Sequence, residues 1–239
     1  MATKGNKAKA GASAEAQLDG FSLISNETLM ALYADLRKCQ RVVKNGAYDA
    51  LPAGLLMDLS EGDAVVSARA DGTVRLKRKG KPVVQAGAAF EDSLGSVLGA
   101  GLLAKLRKSR KVGVVFGGPD EAEWKDALAV ARRLDLPLVF VSRARDVDEK
   151  EVAREMRIPR KKGKKAKRAE VEGYLPRIHV DAHDVVAVYR VAHEAIDRAR
   201  RGRGATWIEG VPFKPEGKRR RPDAVAGMEE YLRTKGLFR

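Results

Sequence analysis

The stretch KVGVVFGGPDEAEWKDALAVARRLDLPLVFVS, residues 111–142, decides the fold class. It opens on a continuous apolar run, VGVVF, of the kind that forms a strand buried on both faces. DEAEWKDALAVARRL then sets Trp124, Ala127, Leu128, Ala131 and Leu134 at helical spacing on one face. A second apolar run, LPLVFV, follows at once. Strand, helix and strand in such close succession form a right-handed parallel crossover unit. The theme returns downstream in RIHVDAHDVVAVYRVAHEAIDRARRG, which reads as strand, turn and long helix. Gly202 and Gly204 end that helix, and ATWIEGV is a further strand. The expected fold class is α/β, a mostly parallel sheet flanked by helices.

Working outward, SNETLMALYADLRKCQRVVKNG reads as a helix capped by Ser25 or Asn26 and ended by Gly46. Leu29, Leu32, Tyr33, Leu36 and Val43 form its apolar face. A short helix around GLLMDL and an extended segment, DAVVSA, come next. In GTVRLKRKGKPVVQ, Val74, Leu76 and Val83 flank a Lys-Gly turn, which suggests a hairpin or a pair of edge strands. SVLGAGLLAKLRKS reads as helical despite Gly99 and Gly101, which point to another backbone packed close against that face. DAVAGMEEYLRTKGLF closes the chain as a helix with Asp223 at its start and Gly236 at its end. Residues 1–20, rich in Ala, Gly and Lys, are expected to be a disordered basic tail. Residues 21–239 are expected to form a single α/β domain with basic loops near 143–172 and 212–222.

The net charge of +15 suggests an acidic partner or nucleic acid, met through the basic loops. The run RKKGKKAKR, with seven cations in nine residues, contains no aromatic side chain for stacking on bases, and a solvated loop is the simpler account of it. The single cysteine, Cys39, excludes an internal disulfide and is expected to be a small buried residue on a helix face. The polar start and the absence of any long apolar run suggest a cytoplasmic protein without a membrane segment.

The segment HVDAHDVVAVYRVAHEAIDRARRGRGATWIEG resembles one family in detail, the alpha subunit of thiamine-diphosphate-dependent 2-oxo acid dehydrogenases of the pyruvate dehydrogenase type. Val180, Asp181, Asp184, Val185, Arg200, Arg201, Gly202, Gly204, Thr206, Ile208 and Glu209 fall into that family's register. LDLPLVFVS and EEYLRTKGLF are also similar to family segments, and the resemblance runs from about Asn26 to Phe238 with a gap. It implies a fold that holds the cofactor's diphosphate through a divalent metal, with a Gly-Asp-Gly motif after one strand and an Asn pair after the next. It also implies a cofactor enclosed between subunits.

The chain departs from that pattern at each of these positions. Val115, Phe116 and Gly117 stand where Gly-Asp-Gly belongs, and sliding the frame to match the glycines puts Gly118 in the Asp position. Ser142, Arg143 and Ala144 stand where Cys, Glu and Asn belong, so Arg143 and Arg145 bring cations to a cation's place. Arg69, Gly72 and Lys218 occupy positions where the family carries active-site histidines. Gly117, Gly118 and Asp120 remain the candidate cofactor-binding residues, and none is assigned as a metal ligand or catalytic group. Asp120 has a structural account too, as the N-cap of the Trp124 helix with Glu123 as its capping-box partner. His183 could serve acid–base chemistry at a strand end but is more simply a partly exposed turn histidine.

The leading expectation is therefore a non-catalytic relative that acts by pairing, as a homo-oligomer or with a dehydrogenase beta-type subunit, and that needs no cofactor. One alternative is an active enzyme on a 2-oxo acid, completed by a beta subunit and using thiamine diphosphate and magnesium. The other is a nucleic-acid-associated protein acting through its basic loops.

Overall fold

A computed structural model of the chain describes residues 24–42, 50–67, 90–120, 123–144, 175–211 and 223–238. The expected tail, the hairpin around Val74, Arg69, Gly72, Lys218 and nearly all of the two basic loops lie outside these residues. The elements in chain order are α1 (Asn26–Val42), α2 (Leu51–Leu56), β1 (Ala64–Ser67), α3 (Phe90–Leu106), β2 (Gly113–Phe116), α4 (Trp124–Arg133), β3 (Leu138–Arg143), β4 (Arg177–Asp181), α5 (Val185–Arg200), β5 (Thr206–Val211) and α6 (Ala224–Thr234).

Among the described residues five strands pair in the order β1-β2-β3-β5-β4, and each of these pairings is parallel. The expected crossover from 113 to 143 is present, with Val114 opposite Val139 and Phe116 opposite Val141. Alternation along these strands sorts the core into two layers. Val114, Phe116, Val139, Val141, Val180 and Ile208 face α1, α2, α5 and α6. Val115, Leu138 and Phe140 face α3 and α4. The central strands are buried on both sides, as their unbroken apolar runs require.

Local chemistry sets most of the helix ends. The Ser25 hydroxyl accepts the Thr28 amide at 3.1 Å and caps α1, whose Leu29, Leu32 and Leu36 are fully buried. Asp184 caps α5 by accepting the amides of Val186 and Ala187. Gly202 and Gly236, both at positive φ, follow α5 and α6 as expected. Asp223 holds the N-cap position of α6 without a side-chain bond to the helix amides.

Three sequence expectations shift. The short helix spans Leu51–Leu56 rather than centring on GLLMDL, because Pro52 fits only a first turn. α3 begins at Phe90, ahead of the expected start. Gly99 and Gly101 do not meet another backbone: Gly99 faces open space, and Gly101 admits the side chain of Leu138. Backbone closeness falls instead at Gly54, where an added Cβ would lie 2.5 Å from Val188 and 2.9 Å from the Tyr189 amide. That contact is why α2 can lie so tightly on α5.

One ion pair ties the layers together at the amino ends of the strands. Asp63 is 2% exposed and precedes β1. Its carboxylate accepts the Ser60 amide at 2.7 Å, the Val112 amide at 3.0 Å and the Arg200 guanidinium at 2.6 Å. Arg200 also donates to the carbonyls of Asp58 and Arg110. The end of α5 is thereby fastened to the entries of β1 and β2. Removing one partner of a buried pair strands the other charge. Arg200→Ala is expected to lower unfolding free energy by about 3–5 kcal/mol, measured by urea titration.

Nearby, the Tyr189 hydroxyl donates to Asp58 at 3.4 Å. Burial, then the Asp58 charge, push its ionisation above the ordinary value of 10.0. The folded state thus favours the neutral phenol, and its contribution is intact below that value. It is lost as pH rises through the folded-state pKa. Thermal melts above pH 10 are expected to fall more steeply for the wild type than for Tyr189→Phe.

Candidate functional site

Because all five strands are parallel, their carboxyl ends open on one edge of the sheet. β2 leads into α4 on one face, whereas β4 and β5 lead to α5 and α6 on the other. The connections therefore diverge on either side of β3, the place where α/β folds open a ligand crevice.

The described rim of that crevice comes from two turns. After β2, the Gly117 amide donates to the Val141 carbonyl at 3.0 Å, so β2 stays paired to its last residue. The Phe116 side chain is buried in the layer with α1 and α5. Gly118 faces open space, and Asp120 is exposed in the turn beyond. After β3, the Ala144 amide donates to the Gly210 carbonyl at 2.9 Å. Ser142 is 1% exposed and points to the α4 face, where its Oγ accepts the Trp207 indole N–H at 2.8 Å. Arg143 is half-buried beside it.

Asp120 is not the cap of α4. The N-cap is Glu123, in helical conformation and without a side-chain cap bond. Trp124 fixes this start. It is 1% exposed and meets Phe140 and Trp207 edge to face at 5.3 and 6.2 Å. Docking of the indole outweighs the local D-x-x-E signal. Leu134, expected on the apolar face, is 39% exposed because the helix ends at Arg133.

The turn after β4 uses its polar groups locally. Asp181 accepts the His183 amide at 3.0 Å, and Asp184 caps α5. His183 is a half-buried turn residue whose ring lies 3.7 Å from Asp181. Cys39 is buried on α1, as its residue type suggested.

The cluster that sequence reasoning missed lies on the α4 face of β4 and β5. His179 pairs directly opposite Glu209, and Arg177 opposite Trp207. Glu209 is 5% exposed. Its Oε2 accepts Arg177 Nε at 3.1 Å and Nη2 at 2.6 Å, and lies 2.8 Å from His179 Nε2. The Arg177 guanidinium stacks on the Trp207 ring at 4.4 Å. A buried carboxylate that receives this many donors is held as a structural network, and no oxygen-rich pocket results. The signal was the period-two placement of Arg177, His179 and Asp181 in RIHVD and the lone acid Glu209 in TWIEG, legible only once β4 and β5 are known to be neighbours.

The family model described as dehydrogenase E1 component matches residues 71–223, well over half of the chain. This chain belongs to the dehydrogenase E1 family. The alpha subunit of acetoin:2,6-dichlorophenolindophenol oxidoreductase from Bacillus subtilis is 32% identical over 122 residues. That match spans 50% of this chain and 35% of the relative. The pyruvate dehydrogenase E1 component subunit alpha of Acholeplasma laidlawii is 24% identical over 68% of this chain and 52% of its own length. The chain thus spans about a third to a half of these curated relatives. Among solved structures, benzoylformate decarboxylase from Polynucleobacter necessarius aligns with a TM-score of 0.45 at 12% identity, over 71% of this chain and 35% of that one. No helix among the described residues is long and apolar enough to cross a membrane.

Four residues singled out by the sequence have structural roles here. Asp184 caps α5, Arg200 clamps its end, Gly202 terminates it, and Glu209 anchors β4 to β5. Glu209→Gln keeps the shape but removes the charge that Arg177 meets. A loss of about 1–3 kcal/mol in unfolding free energy is expected by chemical denaturation, with tryptophan fluorescence as the probe.

Proposed function

We propose that this chain is a non-catalytic member of the dehydrogenase E1 family that works by pairing with another subunit. The observation that carries this is the donor set at the ends of β2 and β3. A divalent metal on a diphosphate needs hard oxygen ligands. Phe116, Gly117 and Gly118 supply no side-chain oxygen. The Ser142 hydroxyl is bonded to Trp207 on the α4 face, and Arg143 brings a positive charge. Asp120 adds a carboxylate that would repel a phosphate approaching without a metal. On this proposal Gly117, Gly118 and Asp120 are the remnant of a diphosphate site, and the residues present do not fit thiamine diphosphate with its metal.

Pairing is supported by α3. Its segment FEDSLGSVLGAGLLAKL is apolar on nearly every side, a pattern suited to an interior. Yet Leu102 is 38% and Leu106 72% exposed, beside the open faces of Gly95 and Gly99. The occupant proposed for this stripe is a second copy of the chain or a beta-type dehydrogenase subunit.

Two measurements test the proposal. Titration calorimetry with thiamine diphosphate and magnesium is expected to give no binding heat; stoichiometric binding at micromolar affinity would overturn the non-catalytic assignment. Light scattering is expected to show a dimer, alone or with a beta-type subunit, that Leu102→Glu with Leu106→Glu converts to monomer. An assembly indifferent to that change would remove α3 from the interface. Membership of the family favours a second reading, an active enzyme completed by a beta subunit. Reduction of an artificial electron acceptor by a 2-oxo acid, once that subunit is added, would establish it instead.

A further inference from the structure

A cavity of about 300 Å³ lies at the amino ends of β1 and β2, under the last turns of α3. This is the end of the sheet opposite Gly117. Its floor is made of small apolar residues, Ala64, Ala100, Gly101, Ala104, Val112 and Gly113. The floor is small for a packing reason. A Cβ on Gly113 would stand 2.6 Å from Leu138, and one on Gly101 3.1 Å from the same side chain. The two glycines that let α3 sit down on the sheet thus leave a hollow beside it. Leu103, 46% exposed, forms one lip. It borders the Leu102–Leu106 stripe, about 60° round α3 from Leu106, whereas Ala100 lies about 120° round from Leu106.

The rest of the mouth is cationic. Arg107, Ser109 and Lys111 line it. Lys111 is pinned: its ammonium donates to the Glu61 carbonyl, and its chain crosses Gly62, which is at φ +84°. Lys105, Lys108 and Arg110 are exposed in the same short segment. Lys105 donates to the Leu134 carbonyl at 2.6 Å, and the Arg110 carbonyl accepts from Arg200. These cations outweigh the negative pole of α3, which ends here. An apolar pocket at the lower end of the size range that holds small ligands, with a few polar groups on one side, is a binding site in form. A neutral apolar ligand would leave the charges unused, and a polyanion would leave the hollow unfilled.

We propose that this cavity binds an aliphatic carboxylate of medium chain length, its tail among Ala64, Ala100, Ala104 and Leu103 and its carboxylate toward Arg107 and Lys111. The probe is decanoate, titrated by calorimetry into the 239-residue chain, with decyltrimethylammonium as the oppositely charged control. Decanoate is expected to bind one to one, and the control at least tenfold more weakly. Ala100→Phe, at an exposed helical position, is expected to fill the hollow and weaken decanoate at least tenfold while leaving the melting temperature in place. Arg107→Glu and Lys111→Glu together are expected to do the same through charge. Absence of decanoate binding up to millimolar concentration, unchanged binding in Ala100→Phe, or equal binding of the cationic control would each overturn the proposal.

Discussion

The buried pair between Asp63 and Arg200 is the constraint on which the arrangement of this fold turns. A parallel sheet has no hairpins to hold its strands in register, so its edges are aligned by what packs against them. Here one carboxylate, almost wholly removed from water, collects the backbone amides that enter β1 and β2 together with a guanidinium from the far end of α5. A charge buried in this way is tolerable only when every donor is in place. The helix that covers β3 and β5 and the loops that start β1 and β2 must therefore settle together.

The other end of the sheet is arranged differently. There the described polar groups mostly serve the backbone or one another. Asp181 and Asp184 order the turn into α5, and Ser142 is spent on Trp207. Glu209 is enclosed by Arg177 and His179. Asp184, Arg200, Gly202 and Glu209 serve this fold as a cap, a clamp, a helix end and a cross-strand anchor.

Much of this was legible in the chain itself. Apolar runs of four to six residues without polar interruption demand burial on both faces, and only a sheet covered on both sides provides it. Helix faces and the glycines at the ends of α5 and α6 followed from period and turn chemistry. The failures share one cause. Asp120 and Glu123 have the spacing of a capping box, but Trp124 needed to reach Phe140, and the helix began where the indole could dock. Gly99 and Gly101 looked alike in sequence, yet only Gly101 faces the sheet.

The sequence by itself determined the element types, their order and the parallel crossover. It also determined which side chains stand at the ends of β2 and β3, because these depend on local period and on residue identity. Tertiary structure alone decided which polar residues meet. Asp63 and Arg200 are far apart in the chain, and so are Ser142 and Trp207. The pairing of His179 with Glu209 required β5 to be inserted between β3 and β4. Contacts between distant segments carry no local signature: a charged residue in a strand looks the same whether it faces water or a partner across the sheet. What distinguishes the two is the free energy of burial, and that is set only when the layers close.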